Sequence, residues 1–199
     1  MHEVFISYHH ANDESYKEVL LAHNILRPMF IDGSVDTGEI DEDLSDQAIR
    51  EIIRDRYLRD TTVTLVLVGT QTRGRKHVDW EVFSSMIDGS VNKKSGIIAI
   101  MLPSVAKGIY SAHDGERELY PDLTIWTPVT TFSEARSKYP YLPDRLLDNI
   151  VAQDARVSVT EWSRIDGNPA ILETLIEVAH RDRALCKYDL SRPMRRANS

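Results

Sequence analysis

A chain of 199 residues with 42% hydrophobic and 28% charged side chains can fill one sizeable core with some additions, which excludes wholesale disorder and two full domains. The formal net charge of −7 excludes the basic face that a duplex-binding module needs, so nucleic acid is not an expected partner. The longest apolar run, GIIAIMLP at 96 to 103, is far short of a bilayer span, and the lone Cys186 has no second cysteine for a disulfide or a metal site. Met1 leads straight into a strand-like run with no signal-peptide core ahead of it, so a cytoplasmic protein without membrane contact is expected.

The run HEVFISY at 2 to 8 is rich in β-formers and opens the chain as a strand. Asn12 is expected to cap the next helix, with Asp13 and Glu14 in its positive first turn; Tyr16, Val19, Leu20, His23 and Leu26 follow at helical spacing until Pro28. MFI at 29 to 31 is a short second strand. The loop from Asp32 to Asp43 carries Asp36, Glu39, Asp41 and Glu42 as well, but lacks the glycine and alternating acids of a calcium loop. A helix is predicted from about Asp46 to Arg59. TTVTLVLVG at 61 to 69 is the strongest strand, apolar enough to be buried on both faces, as in a parallel sheet.

HVDWEVFSSMIDG at 77 to 89 is helical, and Asp88-Gly89 closes it. At about 100° per residue, Val78, Trp80, Val82, Phe83, Met86 and Ile87 sweep out an apolar arc. Glu81 falls opposite, beside His77, Ser84 and Ser85. An ordinary solvated face would carry longer side chains, so these small neighbours leave room around the carboxylate. The strand GIIAIML at 96 to 102 follows. Residues 104 to 155 look like an irregular insertion. VSVTEW at 157 to 162 is a last strand, and Asn168-Pro169 opens a final helix that buries Ile171, Leu172, Leu175, Ile176 and Ala179.

This rhythm of strands and helices spells a doubly wound, mostly parallel sheet of flavodoxin type with an irregular C-terminal elaboration. One α/β domain is expected over 1–185: a core at 2–103, the insertion at 104–155, and the last strand and helix at 156–185. Residues 186–199, with Arg192, Arg195 and Arg196, are read as a flexible, solvated basic tail.

In such sheets ligands bind beyond the strand ends where the strand order reverses, between the first and third strands. The loops there are SYHHAND at 7 to 13 and GTQTRGRKH at 69 to 77, and the second feeds the helix of Glu81. Neither is a dinucleotide fingerprint or a phosphate loop. The adjacent His9 and His10 have no third ligand at a recognisable spacing, so no metal is expected.

VFISYHHAND resembles the first strand and following loop of TIR-like domains. TTVTLVLVGTQTRGRKHVDWEV is similar to the third strand and active-site helix of the TIR-like proteins of the bacterial Thoeris anti-phage system. TIR enzymes carry a Trp-x-x-x-Glu motif, and Glu81 stands at its catalytic carboxylate; the Trp place holds His77, with Trp80 or Tyr8 as candidate substitutes. The resemblance implies cleavage of NAD⁺ at the nicotinamide–ribose bond and conversion of ADP-ribose into a nucleotide signal, such as a cyclic isomer or a conjugate, that activates a partner effector. No cofactor beyond the substrate NAD⁺ is implied. Ser7, Tyr8, His9 and His77 are the substrate-binding candidates around Glu81. An infection-derived trigger and self-association through the acidic loop are expected to switch such an enzyme on. The other reading left open is a non-enzymatic TIR-like interaction module in which Glu81 is a surface acid.

Overall fold

The computed structural model of the protein describes residues 1–34, 44–89, 93–108, 110–111, 116–120, 129–152 and 154–199. The acidic loop expected over 32–43 falls, from residue 35 on, outside the described residues.

Five strands form one parallel sheet: β1 (His2–Ser7), β2 (Phe30–Asp32), β3 (Val63–Val68), β4 (Gly96–Met101) and β5 (Val157–Glu161), in the order β2-β1-β3-β4-β5. Their β-branched and leucine runs stand side chains alternately on the two faces, and every residue of β3 and β4 is buried. Val4, Ile6, Val63, Leu65, Leu67, Ile98 and Ile100 face one side. They pack on Leu20 of helix α1 (His10–Leu26), on Trp162 and Ile165 of α6 (Trp162–Gly167), and on Leu172, Leu175 and Ile176 of α7 (Pro169–Asp182).

The opposite face divides in two. Val66, Val68, Ile97, Ala99 and Val159 meet Val78, Val82 and Met86 of α3 (Lys76–Ser85), Ala135 of α4 (Phe132–Lys138), and Leu146 and Leu147 of α5 (Asp144–Val151). Phe5 meets Trp80 of α3, Ile49 of α2 (Asp46–Ile52) and Ile53 of the π-helical continuation Ile53–Tyr57. The sheet is therefore doubly wound, as expected, with the strand order reversing between β1 and β3. Within the expected insertion, α5 packs on β5 and serves as a crossover helix returning to the sheet.

Two local expectations are corrected and a third stands. Helix α1 begins at His10 with His9 as its N-cap, so Asn12 lies inside the first turn. Asp13 is then buried rather than solvated at the helix dipole. The predicted cap and first-turn proline of α7 stand: Asn168 Oδ1 accepts the Ala170 N–H.

The larger correction concerns the C-terminal residues, which lie along α3 and α5 instead of fraying into water. Cys186 and Met194 are buried. Asn149 of α5 brackets Asp189, its Oδ1 accepting the Asp189 N–H at 2.7 Å and its Nδ2 donating to the Asp189 carbonyl at 3.1 Å. Arg145 of α5, fully buried, donates to the carbonyls of Arg192 and Pro193 and forks onto Asp79 of α3 at 3.0 and 3.2 Å. Asp79 Oδ2 also accepts the Arg195 N–H, and the Trp80 indole donates to the Arg195 carbonyl at 2.7 Å. Lys76 N–H donates to Asn198 Oδ1, and Ser199 N–H to the Gly74 carbonyl. A polar strand of chain can be held this way because backbone donors and acceptors find buried partners on both helices. Among the described residues, no helix is long and apolar enough to cross a membrane.

Candidate active site

The β1 and β3 ends lie side by side at the crevice where ligands bind in this fold class. Ser7 is the last residue of β1, and α3 starts after the short 3₁₀ turn Thr72–Gly74 beyond β3. One helical turn into α3, Glu81 turns towards β1, and the Ser7 hydroxyl donates to its Oε2 at 2.6 Å. Both residues are buried, with Glu81 only 6% exposed. The small side chain of Ser85 permits this approach: its hydroxyl donates to the Glu81 carbonyl and lies 2.8 Å from Thr64 Oγ1 on β3. So Glu81 and Ser85, on the polar arc of this helix, are pressed on the sheet, while His77 on the same arc stays exposed.

Burial raises the Glu81 carboxyl from its ordinary value to about 7, and the Ser7 hydrogen bond opposes the rise only in part. An acid in that state costs about 3 kcal/mol when ionised at neutral pH, because burial outweighs the one hydrogen bond from Ser7. A core designed for stability alone would place Gln or Met here. Carboxylates held at such a value mark sites where the charge is used.

The loop walls add groups that sequence reasoning passed over. Asp13 is buried against the β3 end, where a Cβ on Gly69 would come within 2.4 Å of its Oδ1. Only glycine fits there. Thr72 Oγ1 accepts the Gly69 N–H at 2.8 Å and lies 3.4 Å from Asp13 Oδ2, which ties the two loops together. Burial raises the Asp13 carboxyl, so the crevice holds a second reluctant acid. Arg75 lies close enough to His9 to repel its protonated form; burial first, then Arg75 and His10, hold the His9 imidazole below its usual value. His9 Nδ1 and Arg75 Nε are buried with no hydrogen-bond partner among the described residues. The sequence signal for Arg75 is its place in the loop leaving β3, two residues before His77.

The remaining candidates separate. Tyr8 is 6% exposed, packed in the core with its ring 4.3 Å from that of His10. Trp80 is 1% exposed beneath the C-terminal residues, so its ring does not offer a stacking surface in the crevice. His77 is exposed, with its ring edge-on to Trp80 at 5.1 Å. No three His, Cys, Asp or Glu side chains gather into a metal-holding group among the described residues.

The family model of the Thoeris protein ThsB, TIR-like domain, matches residues 5–107, the span from β1 through β4 that contains Ser7 and Glu81. The chain belongs to this family. No curated protein and no solved structure is matched. The TIR-like fold of ThsB and the place of the chain among anti-phage TIR proteins follow from that membership and from the sheet order.

Membership also sharpens the question of His77. If it stands in for the motif Trp by touching substrate, His77→Ala should slow NAD⁺ turnover by at least ~10-fold, with the melting temperature unchanged because the side chain is exposed. His77→Trp should keep or raise the rate. Wild-type rates in both variants would make His77 a helix-start residue only.

Proposed function

We propose that this ThsB-family domain cleaves the nicotinamide–ribose bond of NAD⁺ and passes the ADP-ribose part into a signalling nucleotide that activates a partner effector. The observation that carries the reading is the buried Glu81 carboxyl, held by Ser7 at the reversal point of the sheet. Hydrolysis of an ordinary glycoside needs two carboxyl groups because the leaving alkoxide must be protonated. Nicotinamide departs as a neutral pyridine from a cationic pyridinium, so no general acid is required. What remains is to stabilise an oxocarbenium-like ribose, and one carboxylate facing the anomeric carbon in a site dry enough to strengthen its field supplies that. The positive pyridinium of the substrate itself favours ionisation of Glu81 on binding. His9 and Arg75 on the loop walls stand where the nucleotide's polar groups would find donors.

The interaction-module reading requires Glu81 to be a surface acid, and its burial counts against that role. Incubation of the purified protein with NAD⁺, followed by mass spectrometry of the nucleotides, tests the proposal; unaltered NAD⁺ under conditions that assemble the protein would sink it.

An enzyme that consumes NAD⁺ without restraint would harm its own cell, so the resting protein should be nearly silent and monomeric or dimeric. The several acids from Asp32 to Asp43 repel one another until a partner surface neutralises them. Head-to-tail contact through this loop would complete the site by propagation. Specific activity should then rise more than in proportion to protein concentration, and Asp36→Lys with Glu39→Lys should abolish the rise. A constant specific activity down to dilute monomer would place a complete site within one chain.

A further inference from the structure

On the outer side of α3, away from Glu81, a cavity of about 210 Å³ lies between the 3₁₀ turn before α3, the start of α5 and the C-terminal residues. Its walls carry Arg73, Arg192 and Arg195, with Asp79 and Asp144 between them. The carboxylates are already committed. Asp79 takes the fork of Arg145 and the backbone N–H of Arg195. Asp144 is shared by three guanidiniums: Arg73 at 3.4 Å, Arg192 at 3.7 Å, and Arg136. Asp148 takes the fork of Arg192 at 2.5 and 2.9 Å. Three guanidiniums and two carboxylates therefore line the cavity, in a chain whose overall charge is −7. Arg195 has no carboxylate partner among the described residues; its guanidinium donates to the Ser199 hydroxyl at 3.0 Å. Arg136 Nη1 is buried with no hydrogen-bond partner among the described residues.

We infer that this cavity is a binding site for a phosphoryl group, separate from the Glu81 crevice. Forked guanidiniums converging from different elements match the tetrahedral oxygens of phosphate better than a single carboxylate can. The lining carries one more positive than negative side chain, and that excess favours an anion. Size selects further: about 210 Å³ is below the roughly 300–1,000 Å³ of pockets that enclose a whole drug-sized ligand, so a phosphate or diphosphate fits and a complete dinucleotide does not. Mutual repulsion is already felt there, since burial and then Arg73 and Arg192 hold the Arg136 guanidinium below its ordinary value. A bound phosphoryl group would join the turn before α3 to the C-terminal residues laid over it, and so clamp the helix that carries Glu81.

The test is isothermal titration and thermal melting of the full chain with inorganic phosphate, inorganic pyrophosphate and ADP-ribose, against sodium chloride at matched ionic strength. Saturable binding of one phosphate per chain is expected, with a rise in melting temperature that chloride does not give. Tighter binding of ADP-ribose than of phosphate, lost in the same variants, would identify a nucleotide's phosphoryl group as the source. Arg73→Gln with Arg195→Ala should weaken phosphate binding at least ~10-fold, while the Arg195 backbone contact to Asp79 is retained. Asp144→Asn should act in the opposite direction, tightening it at least ~2-fold by freeing shared guanidiniums. Equal effects of phosphate and chloride on the wild type overturn the site whatever the variants do. If the double variant does not fold, weaker or unchanged binding in Asp144→Asn overturns it instead.

Discussion

Replacement of Glu81 by Gln should lower NAD⁺ turnover by at least ~100-fold while making the protein more stable at neutral pH. The loss follows from removing the charge that an oxocarbenium-like ribose needs. The gain follows from burial. The carboxyl titrates at about 7 in the folded chain against an ordinary 4.5. Below 4.5 both states hold the proton and the contribution to stability is complete. Between 4.5 and about 7 the unfolded chain releases its proton while the folded one keeps it, so stability falls as pH rises and levels off above about 7. The total is about 3 kcal/mol for the wild type. Glu81→Gln lacks this slope, so the stability difference in its favour should widen from pH 5 to pH 8 in parallel urea titrations. In the wild type, kcat/KM for NAD⁺ should rise with pH through about 7 as the carboxyl ionises. A folded Glu81→Gln protein with full activity would end the assignment of this residue. A pH-independent stability difference would end the account of its burial.

Replacement of Arg145 by Ala should be the most destabilising single change on the outer side of α3, costing roughly 3–5 kcal/mol. Arg145 is fully buried and stacks its guanidinium 4.3 Å from the Phe83 ring centre. Without it the buried Asp79 side chain loses its guanidinium fork, and the carbonyls of Arg192 and Pro193 lose their donors. For a chain of this length the melting temperature should drop by roughly 6–20 °C. The double variant Asp79→Leu with Arg145→Met removes both charges and should recover most of the loss. A drop under about 1 kcal/mol in Arg145→Ala would mean that water enters and that the pair is not sealed.

Much of this fold was legible because its strands are apolar on both faces. TTVTLVLVG and GIIAIML are apolar enough to be buried on both faces, and the helical patterns between the strands point to parallel crossovers. The meeting of Ser7 and Glu81 was legible too, as both stand at the reversal point. The cover over α3 was not. Residues 186–199 are polar and basic, and nothing local distinguishes a solvated tail from one whose backbone groups answer Asp79, Trp80 and Asn149. Glu81 was expected in the crevice beside Ser7, and the depth of its burial against the sheet is what helical spacing alone does not reveal. Asp13 was missed for a nearer reason. It reads as a first-turn acid serving the helix dipole, and the helix begins three residues before it, which turns its carboxylate in towards Gly69.

The contacts that clothe α3 also set a timetable. Trp80 and Arg195 are 115 residues apart, and Lys76 and Asn198 are 122 apart. At roughly 5–20 residues per second, a ribosome needs on the order of 6–23 s to deliver the partner of the Trp80 indole after Trp80 itself has been made. The helix of Glu81 therefore stays uncovered on its outer side while the residues between Trp80 and Arg195 are being made, although Ser7, which holds its carboxylate, was made long before.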